Sequence, residues 1–306
     1  MHMLYLYKYL LLKNKLSSFI EQFKAIYNQK DIPENLRFLA LQSCYTANFL
    51  LQELNSIAYP KNCNADTMSN TYTMIDVGTG LGIIPLILNS QKIYYNYICV
   101  DIDNNSLKIA KQLFKEKHFS LVCADVYAMP FKDSIADILF ARYVLQHINR
   151  IDLFLLELKK IMKTNSKIVI IDIEDDLNIF YPELPPETTK VFESYEKFQK
   201  QCGGDRSISK KLSYFLSKSG FRNVEIKPFT STFFASKEDY PNYFKQIKNS
   251  FLLLGSELEL IKDKLFKNKF ISPTDFHKGL NSYLNYLNYS DSIFMSKTEF
   301  LITAMK

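Results

Sequence analysis

Three glycines and an aspartate, spaced closely in one short stretch, are the residues of this chain best suited to hold a ligand. The stretch reads D-V-G-T-G-L-G and runs from Asp76 to Gly82, after the apolar residues Met74 and Ile75. Glycine has no Cβ atom, so the backbone can turn tightly from a strand into a helix and approach a bound molecule closely. The free N–H groups at the start of that helix favour a polar or anionic ligand group. The pattern predicts a cofactor loop, with a glycine-rich turn that holds no ligand as the alternative.

The spacing of these glycines narrows the class of cofactor. A dinucleotide-binding fingerprint reads G-x-G-x-x-G, whereas here the third glycine comes one residue earlier, giving D-x-G-x-G-x-G. This spacing resembles motif I of the class I S-adenosylmethionine-dependent methyltransferases. The resemblance implies S-adenosyl-L-methionine as the cofactor, with Asp76 at a strand end and facing its methionyl part.

Strands and helices that would position the loop alternate along the chain. Strands are predicted over 97–101, 120–124, 135–140 and 167–173, and helices over 106–117 and 153–162. Such alternation predicts an α/β fold with a doubly wound, mostly parallel sheet, and the resemblance implies the seven-stranded, Rossmann-like form. Ligands in these sheets bind at the carboxyl ends of the strands, so the side chains at those ends are the candidates for chemistry.

Acidic residues stand at the ends of the first three predicted strands. Asp101 ends the second, where a carboxylate can accept hydrogen bonds from both hydroxyls of a ribose. Asp125 ends the third strand, and the resemblance implies that it and its neighbouring backbone meet the adenine amino group while Ile102 packs on the ring. A solvated loop carboxylate is the alternative for any one of these acids, but three in succession argue against coincidence.

A second stretch extends the resemblance. Residues 137–148, D-I-L-F-A-R-Y-V-L-Q-H-I, resemble motif IV and its following helix in the small-molecule methyltransferases related to the ubiquinone and menaquinone C-methyltransferases. Residues 157–172 resemble the family's next helix, turn and fifth strand, with Thr-Asn-Ser at 164–166 in place of a Pro-Gly-Gly turn. The last strand, over 294–305, would be the antiparallel strand that this family inserts between strands five and six.

These motifs give the candidate site residues. The cofactor-binding candidates are Asp76, Gly78, Thr79, Gly80, Gly82, Asp101, Ile102, Asp125, Val126 and Arg142. His147 could deprotonate an oxygen or nitrogen acceptor, although a structural or loop contact is the alternative. The substrate candidates are Tyr143, Asp172, Glu174 and Arg206; for Asp172 and Glu174, a solvated acidic turn is the competing interpretation.

Composition excludes several classes of protein. The 306 residues include 47% hydrophobic and 23% charged residues, and the formal net charge of +6 is spread along the chain, so nucleic acid is not indicated as a partner. Five cysteines without a C-x-x-C pair predict neither a disulfide framework nor a metal site. The apolar patch over 4–12 is too short to span a membrane and lacks the features of a secretory signal. We therefore expect a cytoplasmic protein, a monomer or homodimer, with a small-molecule substrate and no metal.

The chain divides into two predicted parts. Residues 1–70, with helices over 4–28 and 36–57, form a helical extension that is either a lid or a covering layer. Residues 71–306 form the methyltransferase domain, with insertions at 177–205 and 237–290. The resemblance implies transfer of a methyl group to an oxygen, nitrogen or carbon nucleophile of a small, partly apolar metabolite. A binding subunit, or an enzyme such as a cyclase that keeps the cofactor pocket without transferring methyl groups, is the alternative.

Overall fold

The computed structural model of the chain describes residues 20–57, 72–91, 95–114, 119–238 and 255–306. Residues 20–28 are helical, in agreement with the predicted N-terminal helices, whose earlier part lies outside the described residues. Residues 58–71, and residues 239–254 of the predicted insertion at 237–290, also lie outside them.

Eight strands form one mostly parallel sheet. Their order is β3-β2-β1-β4-β5-β8-β6, with β7 on the other side of β8. The strands are β1 Thr73–Val77, β2 Asn96–Asp101, β3 Phe119–Cys123, β4 Ala136–Arg142, β5 Met162–Ile173, β6 Ile179–Tyr181, β7 Arg222–Ser236 and β8 Ser292–Met305. The predicted doubly wound α/β fold is confirmed, and the short β6 is an addition to the seven strands expected.

Helices cover both faces of this sheet. They are α1 Glu34–Asn55, α2 Ile83–Ser90, α3 Asn104–Leu113, α4 Ile151–Ile161, α5 Pro186–Gln201, α6 Ser209–Lys218 and α7 Pro273–Tyr289, with a further helical segment over 255–267. Alternate residues of β5 point to opposite faces: Val169 and Ile171 pack in the core under α1, α2 and α3, whereas Ile168 and Ile170 pack in the core under α4 and α6. The apolar run of β5 is therefore buried on both sides.

The last strand is inserted antiparallel between β5 and β7. Ile170 of β5 pairs with Ile302 of β8, and Ile302 also pairs with Ile226 of β7. The N-terminal half of β8 pairs with β6, where Phe180 faces Met295. The prediction that the final strand inserts between strands five and six of the parallel series is confirmed.

Two local predictions need correction. The segment after β4 is not a helix: it is a single 3-10 turn, Leu145–His147. The Thr-Asn-Ser segment lies within β5, which begins at Met162 immediately after α4 and shifts its register against β4 near Ala136. Asn165 takes a left-handed φ of 61° there, a conformation that asparagine tolerates better than most residues.

A third core joins the insertions to each other. It contains buried residues of α5, of the helical segment over 255–267 and of α7. Gly279 of α7 lies against α5, and a Cβ atom there would stand 2.3 Å from the carbonyl oxygen of Glu187 and 2.4 Å from Cγ2 of Val191. The hydroxyl of Thr188 donates to the Gly279 carbonyl at 3.0 Å. The close approach of α5 and α7 therefore depends on glycine at this position.

A search of the described residues for a helix that could span a membrane finds none.

Gly279→Ala should lower the free energy of unfolding by about 1–3 kcal/mol, because the added methyl group overpacks this crossing. Alanine favours a helix over glycine by about 1 kcal/mol. A net loss of stability would therefore come from the overpacked contact between α5 and α7. Urea unfolding of this variant and of Asn281→Ala, an exposed position of the same helix, measures the difference. Equal stability of Gly279→Ala and the wild type would contradict the prediction.

Candidate functional site

A cavity of about 940 Å³ lies across the carboxyl ends of the parallel strands. Most of the predicted site residues line it, namely Asp76, Gly78, Thr79, Gly80, Asp101, Ile102, Asp125, Val126, Arg142, Tyr143, His147 and Arg206. Gly82, Asp172 and Glu174 are not among the lining residues. We call the side near Gly80, Asp101 and Ile102 the glycine-loop end, and the side near Phe180, Met295 and Lys297 the β8 end. Four strand spacings, or about 19 Å, separate β2 from β8.

The three glycines of the loop have different reasons to be glycine. All have positive φ, and a Cβ atom on Gly80 would meet no atom within 4 Å, so it would project into open space. A Cβ atom on Gly78 would lie 2.4 Å from Val144, and one on Gly82 would lie 2.3 Å from the ring of Phe114. Gly80 therefore leaves room in the cavity, whereas Gly78 and Gly82 allow the loop to pack.

Two carboxylates hold the shape of this loop. Oδ2 of Asp101 accepts a hydrogen bond from the Gly80 amide at 2.7 Å, and Oδ1 accepts one from Asp103 at 2.9 Å. Asp76 accepts from the Thr79 hydroxyl at 2.6 Å. Burial raises the pKa of Asp76 to about 7 and also raises the pKa of Asp101. Burial has removed water from both carboxylates, and a ligand hydroxyl or ammonium group could donate the hydrogen bonds that this water would make.

The rim of the glycine-loop end combines an exposed apolar side chain with polar groups. Ile102 is 69% exposed, and it lines the cavity together with Asp125 and Val126. Oδ1 of Asp125 accepts from the Tyr127 amide at 2.9 Å, and the Tyr127 hydroxyl donates to Asn149 at 2.8 Å. This arrangement offers an apolar surface beside hydrogen-bonding groups, as a flat heterocycle requires.

A buried aspartate fixes the turn that carries His147. Asp172, at the end of β5, accepts hydrogen bonds from the amides of Leu145 at 2.8 Å and Gln146 at 3.2 Å, and burial raises its pKa to about 7. Glu174 likewise accepts from the Lys210 amide at 3.0 Å. The structure therefore gives both acids bonds within the protein and places them outside the cavity lining, so their contact with a substrate stays a prediction.

A buried charged cluster backs the centre of the cavity. The Tyr143 hydroxyl donates to Glu299 of β8, and the Arg142 guanidinium carbon lies 3.8 Å from the Tyr143 ring centroid. Glu53 of α1 is fully buried and, within the described residues, neither of its carboxylate oxygens has a hydrogen-bond partner. Burial and the nearby charge of Glu299 raise the pKa of Glu53 to about 9, while Arg142 acts in the opposite direction.

His147 lies beside a second ionic cluster. Arg206 donates from Nε to Asp175, and its Nη1 is 3.6 Å from Oε1 of Glu257. Glu257 also accepts from the Tyr195 hydroxyl at 2.5 Å. Burial and the Arg206 charge lower the pKa of His147 below its ordinary 6.5. The imidazole is therefore mainly neutral at pH 7 and able to accept a proton.

The insertions and α1 complete the walls of the cavity. Phe38, Leu39, Gln42, Ser43 and Thr46 of α1 line the cavity, as do Phe180, Phe192, Tyr283 and Met295 at the β8 end. Other residues of α1, including Leu50, Leu51 and Leu54, are buried in the core shared with the sheet. This helix thus both covers the cavity and packs on the sheet, and the division at residue 70 stays a prediction. No group of three or more potential metal ligands occurs among the described residues.

Comparison with known proteins identifies the central part of the chain. Residues 75–170 match the family model described as a methyltransferase domain. This part of the chain is a methyltransferase domain. The methyltransferase recognised from the sequence motifs is thereby confirmed for residues 75–170, whereas the closer relation to ubiquinone and menaquinone enzymes stays a prediction.

Two curated relatives match the chain over a limited length. An uncharacterised protein of Methanocaldococcus jannaschii is 30% identical over 105 residues, which are 34% of this chain and 42% of that protein. A sterol 4-C-methyltransferase of Caenorhabditis elegans is 27% identical over 110 residues, 35% of this chain and 32% of that enzyme. The chain thus spans less than half the length of these two curated relatives. The structure of the YcgJ protein of Bacillus subtilis covers 86% of this chain and 98% of its own, with 14% identity and a TM-score of 0.49.

The sequence motifs missed five functional candidates that lie outside residues 75–170. Glu53, Tyr195, Glu257 and Glu299 come from segments that carry no family motif, and Lys297 stands in an ordinary strand pattern. Only the alternation of β8 offered a signal, because it puts residues 295, 297 and 299 on one face.

The buried Glu53 carboxyl makes a prediction about pH. Its folded pKa of about 9 lies above its ordinary value of 4.5, so between these values the folded chain keeps a proton that the unfolded chain has lost. Stability should therefore fall as pH rises through this range. In Glu53→Gln this pH-dependent loss of stability should be absent. In the wild type it amounts to at most about 1.4 kcal/mol per pH unit.

Urea unfolding of Glu53→Gln and the wild type at several pH values between about 5 and 8 measures this effect. We expect the variant's relative stability to increase steadily with pH. Glu225→Gln, at an exposed position of β7, is the control for loss of a carboxylate without burial. A stability difference between Glu53→Gln and the wild type that does not change with pH would refute the assignment.

Proposed function

We propose that the chain is an S-adenosylmethionine-dependent methyltransferase acting on a small, partly apolar metabolite. The observation that carries the proposal is the open space next to Gly80, bounded by Asp101 and Ile102, within a methyltransferase domain. The cavity volume of about 940 Å³ is at the upper end of the range for small-molecule sites. This supports a site that accommodates a cofactor and an acceptor together.

The residues at the glycine-loop end fit the cofactor. Asp101 presents two acceptor oxygens for the ribose hydroxyls, and the exposed Ile102 offers an apolar surface for the adenine ring. Asp125 and the adjacent backbone would face the adenine amino group. Asp76 lies at the end of β1, next to the place expected for the methionyl part. When bound, the cofactor supplies an electrophilic methyl group on a sulfonium.

The chain's own part in catalysis would be to orient the acceptor and exclude water. Methyl transfer requires the nucleophile in line with the breaking bond, and orientation alone can supply on the order of 7–11 kcal/mol. The turn held by Asp172 fixes Tyr143, Gln146 and His147 at the centre of the cavity. A neutral His147 would accept the proton of an oxygen or nitrogen acceptor.

Two measurements test the proposal directly. Calorimetry with S-adenosylhomocysteine should detect binding, and incubation with methyl-labelled S-adenosylmethionine and a metabolite extract should give a labelled small molecule. Cofactor binding without any labelled product would favour the binding-subunit or cyclase alternative. No binding of either cofactor form would refute the proposal.

Gly80→Val should abolish binding of S-adenosylhomocysteine, because a branched side chain would fill the free space next to the loop. Gly220→Val is the matched control, since Gly220 also has positive φ but lies outside the cavity lining. Both variants should lose stability from backbone strain, and only Gly80→Val should lose binding in calorimetry at a temperature where both remain folded. Retained affinity in Gly80→Val would remove the loop from the cofactor site.

His147→Gln should lower turnover of an oxygen or nitrogen acceptor about 10²–10⁴-fold, as expected for loss of a general base, with S-adenosylhomocysteine affinity unchanged. In the wild type, activity should fall as pH drops through the lowered pKa of His147, and this limb should be absent from the variant. His277→Gln on α7, outside the cavity lining, is the control histidine. Full turnover in His147→Gln would support the structural alternative.

A further inference from the structure

Among the described residues at the β8 end of the cavity, one charged side chain differs from the others because it has no partner of opposite charge. The acidic residues at this end each have a cationic partner close by. The pairs are Glu193 with Lys197 at 3.7 Å, Glu196 with Lys200 at 2.6 Å, and both Asp175 and Glu257 with Arg206. Arg142, further along the cavity, lies in the field of Glu53, Glu299 and Asp172. Within the described residues, the side chain of Lys297 makes neither a hydrogen bond nor an ion pair.

Lys297 is held at the cavity by the register of β8. Met295 and Lys297 both line the cavity, and Glu299, two residues on, accepts from the Tyr143 hydroxyl. Alternate residues of a strand lie on one face, about 7 Å apart. Lys297 is therefore midway between an apolar residue and the hydrogen-bonded pair at the centre of the cavity, and its side chain is only partly exposed.

Apolar side chains line the same cavity as Lys297. Phe180 pairs across the sheet with Met295, and the rings of Phe192 and Tyr283 meet edge to face with centroids 5.5 Å apart. These four side chains line the same cavity. An ammonium group without a partner in the protein gains from an anionic ligand group, and the ligand that fits a cavity with these apolar side chains also carries an apolar or aromatic body.

We propose that the β8 end selects an acceptor with a carboxylate attached to an apolar or aromatic body, and that Lys297 binds the carboxylate. The inference rests on the proposed function, because it assigns this end of the cavity to the methyl acceptor. It names Lys297 as a specificity-determining residue. The body of the acceptor packs on Phe180, Phe192 and Met295, with its far end directed toward Tyr143.

Binding of two matched probes tests the inference without requiring methyl transfer. The probes are 2-naphthoate and its neutral amide, 2-naphthamide, titrated by calorimetry into the full chain with and without S-adenosylhomocysteine. We expect the wild type to prefer the carboxylate by about 10-fold or more, the range of a charge-assisted hydrogen bond. Lys297→Met should remove the preference by weakening naphthoate and not naphthamide, while Lys297→Arg should retain it.

Lys227→Met is the matched control, because Lys227 is an exposed lysine on the neighbouring strand β7 and does not line the cavity. It should bind both probes as the wild type does. The inference is overturned if Lys227→Met and Lys297→Met weaken naphthoate binding equally. It is also overturned if the wild type does not prefer naphthoate, or binds neither probe. Failure of the proposed function is seen separately, since it is the absence of S-adenosylhomocysteine binding and of labelled product.

Discussion

The pairing of β8 with three other strands is the constraint on which the rest of this structure depends. Its C-terminal half pairs with β5, its N-terminal half pairs with β6, and β7 follows it along nearly its whole length. A shift of one residue would turn Met295 and Lys297 away from the cavity, break the contact of Glu299 with Tyr143, and bury their neighbours in the wrong face. Because apolar residues such as Ile302 are fully buried, that shift is strongly disfavoured. The same register that completes the sheet therefore also fixes one wall of the site.

Buried charge is distributed unevenly along the cavity. The glycine-loop end has Asp76 and Asp101 with raised pKa values and no adjacent cation among their hydrogen-bond partners. In the part of the chain that the structure describes, the β8 end has paired acids and a lysine whose side chain has no partner. A carboxylate or ammonium withdrawn from water is costly unless a partner replaces its hydration. The two ends thus differ in the charge of the ligand groups that they would favour.

The additions to the sheet contribute to stability and site geometry together. Helix α1 places Glu53 behind Arg142 and also supplies apolar residues to the core shared with β1 and β5. Helices α5 and α7 meet at Gly279 and carry Phe192 and Tyr283 to the cavity. Since these side chains are supplied by packed helices, the shape of the β8 end depends on the same contacts that hold the insertions in place. Specificity grafted onto a rigid scaffold in this way is common in such folds.

The place of the inserted last strand came from the family resemblance. The sequence by itself determined the α/β class and the positions of the glycine loop, Asp101 and Ile102 at the cavity. These features follow from local patterns: strand alternation, glycine spacing and acids at strand ends are set by residues close together in the chain. The sequence motifs wrongly extended the turn at His147 into a helix, because a buried acceptor, Asp172, captures the Leu145 and Gln146 amides from another strand. Only the tertiary structure brought Lys297 to the cavity lining and Glu53 and Glu299 to the buried cluster behind it, since these residues come from elements far apart in the chain. Which side chains share a cavity depends on register and packing between such elements, and no local pattern records it.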